Sequence, residues 1–479
     1  MCYHTFLSLN KKSLLLIKNI LMKIKILFFI LLPLISFSQT KMQSSGGEFK
    51  FNPSNLQCIT EQSKAEIKIQ LQTNIDRLEK LGKLSSRQLN LERPSFIWPV
   101  RKAANAEFNN VSAISNYVDH NNSYPGQVQD YNCGSRTYDT DNGYNHQGID
   151  IYTWPFSWYQ FQNDLSEAVA AAAGVIIYKN DGEFDMNCSF NSNQWNAIYI
   201  RHSDNSVAWY GHLKSGSLNS KNLGDTVNEG EYLGVIGSSG NSTGPHLHFE
   251  VYDSNSNLVD PYSGNCNTES SWWKNQPTYY SPNINAVLTH NAAPSFNNDC
   301  PEVEATNIAD QFLPNTDVYL AGYFKDQLYS TTANFELQYP DGSTSSWSKN
   351  FTNTYTASYW YWVRNNLNDL GTYLFKITYQ GQSVTQSFEI LATLNVTTEN
   401  IENFTILSNP FKEELRITSK NINSENYRLD IYSQLGQRVF KQETFTNRLA
   451  LPFLSNGVYF LKIKNKKNNE TQSFKIIKE

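Results

Sequence analysis

GNSTGPHLHFEV, residues 240–251, decides the fold of the central part of this chain. Glycine, serine and threonine precede a run with the alternation of a β-strand, in which residues two positions apart share a face. His246 and His248 therefore lie on one face, while Leu247 points to the opposite face, where a core takes it. Two imidazoles side by side suit a shared cation or a proton-transfer task. The glycine-rich run also has a structural explanation, as a tight hairpin that needs positive φ angles.

Short strands separated by Gly, Asn and Asp continue upstream of this run, from about residue 96, and the pattern ends near residue 265. Apolar alternation marks these segments as strands: AAGVIIYKND, WNAIYIRH, SVAWYGHL, YLGVIG and HLHFEVYD. Their number and spacing predict an antiparallel sheet protein.

The composition favours several exported β-rich domains. A chain of 479 residues is too long for one ordinary domain. It is 14% aromatic and 17% charged, with only 4 methionines, which is typical of secreted β modules. Residues 1–38 contain five lysines and no acidic residue, so the remainder carries 34 basic and 44 acidic residues, a net charge of −10. This balance gives no support for nucleic-acid binding, and we expect no nucleic-acid partner.

The N-terminus has the pattern of a signal peptide. MKIKILFFILLPLISFSQT, which begins at Met22, has lysines, a short apolar run and small residues before Gln39. We predict that residues 1–38 are a signal peptide with an upstream extension. No later segment has about 18 continuous apolar residues, so no transmembrane segment is expected after cleavage.

The cysteines indicate disulfides rather than metal ligands. Six are present, and removal of the leader leaves five, with no Cys-x-x-Cys pair among them. We expect pairs Cys133–Cys188 and Cys266–Cys300, with Cys58 left over, although sequence does not fix connectivity.

The flanking segments differ from the central one. Residues 39–95 hold one helical stretch, TEQSKAEIKIQLQTNIDRLEKLGKL, which is a linker, an interaction arm or a pro-segment. Residues 266–300 are rich in Pro, Asn and aromatics and are predicted to be a connector. The alternation of apolar and polar residues returns over residues 301–395, which predicts an immunoglobulin-like β-sandwich, and again over residues 402–479.

Three short motifs carry the residues suited to chemistry. NHQGIDIY supplies His146 and Asp150, WYGHL supplies His212, and the opening stretch supplies the histidine pair. A catalytic zinc site takes three N or O ligands from protein and leaves one position open. His146, Asp150 and one histidine of the pair would provide that set. The remaining two histidines could move protons and hydrogen-bond an oxyanion, and spacing alone does not say which histidine of the pair binds metal.

NHQGIDI, WYGHL, GDTVNEGEYLGVIGSSGNSTGPHLHFEV and FIWPV resemble the lysostaphin/LytM-type zinc endopeptidases over residues 96–262. The resemblance implies a two-sheet antiparallel peptidase domain at residues 96–265 and a peptide or peptidoglycan substrate, often with glycyl bonds. It also implies one catalytic zinc ion. Carried over residue by residue, it implies zinc ligands His146, Asp150 and His248, and catalytic residues His212 and His246.

One segment departs from the family pattern. TWPFSWYQFQNDLSE, residues 153–167, reads as an aromatic insertion. It is either a packed loop or a wall of the substrate groove.

The C-terminal segment resembles the sorting domain of type IX secretion substrates in Bacteroidetes. ILSNPF, YRLDIYSQLGQRVF, SNGVYFLKIKN and SFKIIKE carry the likeness over residues 402–479. It implies a small β-sandwich, recognition by the type IX secretion machinery, and a secreted or surface-attached product. The alternative is one more β-sandwich binding module.

Two other functions share features with the endopeptidase. A D-Ala-D-Ala carboxypeptidase shares a His/Asp/His zinc set but would show a Glu-x-x-His motif, which GPHLHFE does not provide. A non-catalytic scaffold that keeps the fold for cell-wall or protein binding would be expected to lack one of the five positions, and none is missing.

Overall fold

The computed structural model describes residues 43–51, 60–84, 92–189, 191, 193–296, 304–392, 404–419, 422–433, 438–467 and 471–479. The chain divides into two units, Met1–Ser44 and Ser45–Glu479, and every helix and strand of the described residues belongs to the second. The predicted leader, residues 1–38, lies outside the described residues. Among the helices that the structure describes, none is long and apolar enough to span a bilayer.

An eight-stranded antiparallel sheet forms the centre of the second unit. Its order is β3-β4-β11-β8-β7-β6-β9, with β12 paired to β11. The strands are β3 Ser112–Asn116, β4 Ile149–Thr153, β6 Gly174–Asn180, β7 Ala197–Arg201, β8 Val207–Gly211, β9 Thr226–Val227, β11 His246–Tyr252 and β12 Leu258–Val259.

A second, three-stranded sheet packs on the apolar face of the first. Its order is β10-β5-β2, from strands β2 Val100–Lys102, β5 Ser166–Val169 and β10 Tyr232–Val235. Leu247 and Phe249 of β11 are fully buried in the core that also contains Leu233 of β10 and Ala168 of β5. This arrangement confirms the predicted two-sheet antiparallel peptidase scaffold. The five predicted strand segments are β6, β7, β8, β10 and β11.

Two further sheets form the predicted immunoglobulin-like sandwich. Their orders are β1-β18-β15-β13 and β14-β20-β19-β16-β17, and Phe335 of β16 packs against Trp362 of β18 with ring centroids 4.3 Å apart. The strands are β1 Ser45–Glu48, β13 Asn283–His290, β14 Gln311–Phe312, β15 Val318–Gln327, β16 Thr332–Gln338, β17 Thr344–Asn350, β18 Tyr355–Arg364, β19 Gly371–Tyr379 and β20 Gln382–Ile390.

Two strands of this sandwich come from segments that the sequence separates from it. β13 lies inside the predicted connector 266–300, and β1 lies inside the N-terminal segment 39–95. β13 pairs with β15, and β1 adds to the edge of β18. The apolar run of β13 is too short to predict a strand by itself. The segment is a strand because it pairs with β15, which is distant in sequence.

The aromatic insertion packs between the peptidase sheets and the sandwich. It contains helix α2 (Ser157–Gln162), and both Trp154 and Phe156 are fully buried. The Trp154 indole N–H donates to the carbonyl of Phe324, with the two heavy atoms 3.2 Å apart, and the rings of Phe156 and Tyr323 lie 5.4 Å apart. These residues therefore form a packed loop that joins the two domains.

The C-terminal segment forms a small domain of two sheets, in orders β21-β22-β25 and β24-β23-β26-β27. Leu415, Leu429 and Leu461 are fully buried in its core. The elements are β21 Phe404–Ile406, β22 Glu414–Ser419, a 3₁₀ turn Ser424–Asn426, β23 Tyr427–Ser433, β24 Arg438–Gln442, β25 Arg448–Ala450, β26 Gly457–Asn465 and β27 Thr471–Lys478.

The predicted N-terminal helix is confirmed as α1, Glu61–Lys80. The hydroxyl of Thr60 accepts from the backbone N–H of Ser63 and caps its first turn. Ile67, Leu71 and Leu78 form one apolar stripe that packs against residues of the large sheet, including Tyr178 and Trp209. The helix is thus docked on the peptidase domain.

The predicted disulfide pairing is wrong. Cys133 bonds to Cys266, 133 residues away, so neither Cys133–Cys188 nor Cys266–Cys300 forms. Cys188 is disulfide-bonded as well. Cys58 and Cys300 lie outside the described residues. Pairing by sequence order failed because folding brings the loop before β4 and the loop after β12 together.

We predict that non-reducing peptide mapping recovers a fragment linking Cys133 to Cys266. Replacing both residues by serine should lower the free energy of unfolding by about 2–5 kcal/mol, because the bond closes a long loop in the unfolded chain. Denaturant titration measures this change. A linked fragment containing Cys133 and Cys188 would contradict the observed connectivity.

Candidate metal centre

Strand register brings the residues of the three motifs together. In the antiparallel pair β4–β11, His248 lies directly opposite Asp150, and His246 lies opposite Tyr152. In the pair β11–β8, His248 lies opposite Gly211, the residue before His212. Side chains opposite one another on adjacent strands lie within contact distance. Residues of β4, of β11 and of the end of β8 therefore meet at one place on the sheet.

Three ligand atoms converge at this point. His146 Nε2 lies 3.1 Å from Asp150 Oδ2, and His248 Nδ1 lies 2.9 Å from Asp150 Oδ1. One ligand atom from each of the three residues lies within 4.8 Å of the other two. All three residues are buried, none more than 4% exposed. The structure therefore brings together the three residues that the sequence predicts as metal ligands.

The hydrogen bonds of His146 and His248 determine which ring nitrogens carry a lone pair toward the centre of this group. His146 Nδ1 lies 2.7 Å from the carbonyl of Tyr117, and a carbonyl only accepts, so this nitrogen carries the proton. His248 Nε2 likewise donates to the carboxylate of Glu250 at 3.0 Å. In the neutral imidazoles, His146 Nε2 and His248 Nδ1 then present lone pairs to the Asp150 carboxylate. Three facing acceptors fit a bound cation, and two imidazoles with one carboxylate suit zinc.

Asp150 is held as a carboxylate by its surroundings. Burial alone would raise its pKa, but the protonated forms of His146, His248 and His246 would hold that pKa well below its usual value. The amide of Asn116, on β3, donates to Asp150 Oδ2 at 3.1 Å. Asp150 thus also has a hydrogen-bond partner on the neighbouring strand β3.

His212 and His246 lie beside the ligand group, with ring centroids 4.2 Å apart. His212 follows β8 with a left-handed φ of 62°, and its Nδ1 donates to the carbonyl of Ser239 at 2.6 Å. His246 Nδ1 donates to the carbonyl of Gly244 at 2.9 Å, and its Nε2 lies 3.7 Å from Asp150 Oδ1. Both rings are fixed through Nδ1, so in each neutral ring Nε2 is the basic nitrogen.

Sequence reasoning missed Glu250. It follows His248 by two residues on the same face of β11, so the alternation that pairs the histidines also reaches it. Lys64 of α1 and His248 both bond to its carboxylate. Burial would raise the pKa of Glu250, but Lys64 and these hydrogen bonds lower it to about 2.

Two aromatic residues also contact the site. The ring of Trp195 lies 4.9 Å from that of His212 and 5.7 Å from that of His248. Phe51, from the N-terminal segment, stacks on Tyr152 and meets the edge of His246 at 5.8 Å. Neither residue lies in a motif, so no sequence signal identified them.

Comparison with known families agrees with this geometry. Residues 144–261 match the model of peptidase family M23, and residues 405–479 match the secretion system C-terminal sorting domain. The chain therefore carries an M23 peptidase domain of the lysostaphin/LytM type and a type IX sorting domain.

Individual relatives match part of the chain. One stretch is 34% identical over 85 residues to the peptidoglycan DD-endopeptidase ShyC of Vibrio cholerae, covering 18% of this chain and 19% of the relative. A stretch is 38% identical over 82 residues to the DD-carboxypeptidase/endopeptidase Mpg of Neisseria meningitidis, covering 17% and 16%. The match thus spans less than a fifth of either relative. Among solved structures, the catalytic domain of lysostaphin from Staphylococcus simulans is 28% identical, with a TM-score of 0.20, over 26% of this chain and 83% of that one.

We predict that Gly148→Ala weakens metal binding. A Cβ at this position would lie 2.6 Å from His248 Cε1 and Nε2 and 2.9 Å from the carbonyl oxygen of Phe249, so both the imidazole and the main chain at Phe249 must shift. The expected loss of zinc affinity is roughly 10- to 100-fold, as for other disturbances of a ligand's orientation. Chelator competition measures it.

Gly47→Ala is the matched control, because a Cβ there meets nothing within 4 Å. Equal zinc affinity in both variants would contradict the assignment of His248 as a ligand.

Proposed function

We propose that this protein is a secreted zinc-dependent endopeptidase that hydrolyses peptide bonds in peptidoglycan. The observation that carries the proposal is the convergence of His146 Nε2, Asp150 and His248 Nδ1 beside a second pair of fixed imidazoles. In this proposal His146, Asp150 and His248 are the metal ligands, and His212 and His246 are the catalytic residues. The family match of residues 144–261 supports a peptidase.

The two catalytic histidines have the geometry for proton transfer. When bound, zinc supplies the Lewis acid that activates water and polarises the scissile carbonyl. His246 Nε2, on the side of Asp150, accepts the proton of the attacking water and returns it to the leaving amine. His212, held by the carbonyl of Ser239, hydrogen-bonds through Nε2 the charge that develops on the carbonyl oxygen. The buried position of both rings strengthens these interactions.

The substrate we favour is a cross-link between peptide stems. ShyC is named as a peptidoglycan DD-endopeptidase and Mpg as a DD-carboxypeptidase/endopeptidase, and each matches part of this chain. Glycyl bonds in peptidoglycan cross-bridges or in glycine-rich proteins are the second substrate class. A non-catalytic scaffold remains the alternative from another class.

We propose that the C-terminal domain directs export. The match of residues 405–479 to a sorting domain supports recognition by the type IX secretion machinery of a Bacteroidetes-type bacterium. Passage through the outer membrane would then deliver a secreted or surface-attached enzyme.

We expect His246→Ala and His212→Ala to keep about one zinc per chain and to lose cleavage by roughly 10²- to 10⁴-fold, the usual contribution of a proton-transferring side chain. His146→Ala should lose both zinc and cleavage, because it removes a ligand. Elemental analysis gives the metal content, and chromatography of digested cross-linked muropeptides gives the cleavage rate. His120→Gln is the control, since His120 pairs with Asp260 and not with the metal group.

The substrate is read from the same preparations. Cleavage of a cross-linked muropeptide but not of pentaglycine supports the stem-peptide substrate, and the reverse supports glycyl bonds. A folded protein with zinc and no cleavage of either would favour the scaffold. A folded protein that binds no zinc would overturn the enzymatic proposal.

A second prediction concerns export. Removing residues 402–479 should leave the peptidase inside the cell envelope, while the full chain reaches the outside, because the sorting signal lies in that domain. Fractionation with an antibody against the peptidase domain measures the distribution. Equal amounts outside the cell for both forms would contradict a sorting role.

A further inference from the structure

Helix α1 lies on the same face of the large sheet as the metal centre. Alternation along β11 places His246, His248, Glu250 and Tyr252 on one face, in that order. Tyr252 belongs to the cluster that contains the apolar stripe of α1. One row of side chains therefore runs from the proposed catalytic base to the helix.

A lysine from the helix completes that row. Lys64 Nζ lies 3.1 Å from Glu250 Oε1, and both side chains are buried, 9% and 3% exposed. Glu250 Oε2 accepts from His248 Nε2 at 3.0 Å, and Tyr252 donates its hydroxyl proton to Glu250 Oε1. Among the described residues, Lys64 is the one lysine or arginine within ion-pair distance of this carboxylate.

We propose that Lys64 is a positioning residue for the metal centre, acting through Glu250 on the ligand His248. The inference rests on the proposed function, because it takes His248 as a ligand. It gives α1 a role that the interpretation of residues 39–95 as a linker does not include.

Lys64 acts on the orientation of one imidazole, that of His248. His248 presents Nδ1 to the metal only while Nε2 carries the proton, and the Glu250 carboxylate selects that form by accepting from Nε2. A carboxyl group buried in this way stays ionised only if a nearby opposite charge offsets its lost hydration. Lys64 supplies that charge from a separate element, 186 residues away along the chain.

The other contacts of α1 explain its docking without Lys64. Asn74 donates to the carbonyl of Ile177 at 3.0 Å, and Glu79 pairs with Arg201 at 3.1 Å. The apolar stripe adds buried contacts with the large sheet. A charged side chain buried among these contacts costs desolvation that docking alone would not require.

The test compares zinc affinity in four variants of the full secreted chain. Lys64→Met should raise the zinc dissociation constant roughly 10- to 100-fold, as expected when the partner of a ligand is disturbed. Lys64→Arg should restore most of the affinity by returning the charge. Lys68→Met removes a lysine one turn away, whose ammonium lies 5.8 Å from the Tyr252 ring, and should leave the affinity unchanged.

Asn74→Ala separates positioning from docking. This variant loosens the helix without touching Glu250, so it should lower thermal stability while zinc affinity is kept. Cobalt substitution gives a second readout, because a reoriented imidazole alters the visible absorption of bound Co²⁺ in Lys64→Met and not in Asn74→Ala.

The outcomes are distinct. If the wild type binds zinc and Lys64→Met binds it as tightly, the role of Lys64 is overturned and the proposed function stands. If Asn74→Ala loses as much affinity as Lys64→Met, the effect is one of helix docking and the positioning role is again overturned. If the wild type itself binds no zinc, both the proposed function and this inference are contradicted.

Discussion

The register of β4 against β11 is the constraint on which the site depends. His248 faces Asp150 only because these two strands pair at one offset, and a slip by one residue would turn every side chain of β11 to the other face. The apolar residues that alternate with His246, His248 and Glu250 along β11 prevent that slip. Leu247, Phe249 and Val251 are buried against the three-stranded sheet, so the core and the metal centre specify the same register from opposite faces.

Around that register, the charges are arranged so that each buried group has a partner. Asp150 faces His146 and His248, and Glu250 faces His248 and Lys64. Unpaired, any of these carboxylates would be costly to bury. A bound cation would fit into this network as the charge that two lone-pair-bearing imidazoles and a carboxylate require at their centre. The sandwich is joined to the peptidase domain by a buried ion pair between Arg136 and Asp326, whose nitrogen and oxygen atoms lie 3.2 Å apart.

Much of this arrangement could be predicted from sequence, because it depends on short local patterns of residues. Alternation identified the strands, and the His-x-His and His-x-x-x-Asp motifs identified residues that the fold brings together. The same alternation could have found Glu250. What escaped prediction depends on contacts between distant segments: the Cys133–Cys266 bond, the pairing of β13 with the sandwich, and the approach of Lys64 to Glu250. No local pattern in a single sequence records such contacts.

The most direct test is anomalous diffraction at the zinc absorption edge from crystals of the full chain. The account predicts one strong peak, within bonding distance of His146 Nε2, a carboxylate oxygen of Asp150 and His248 Nδ1. A peak elsewhere, or a zinc-loaded protein in which His248 bonds only to Glu250 and Asp150, would contradict it.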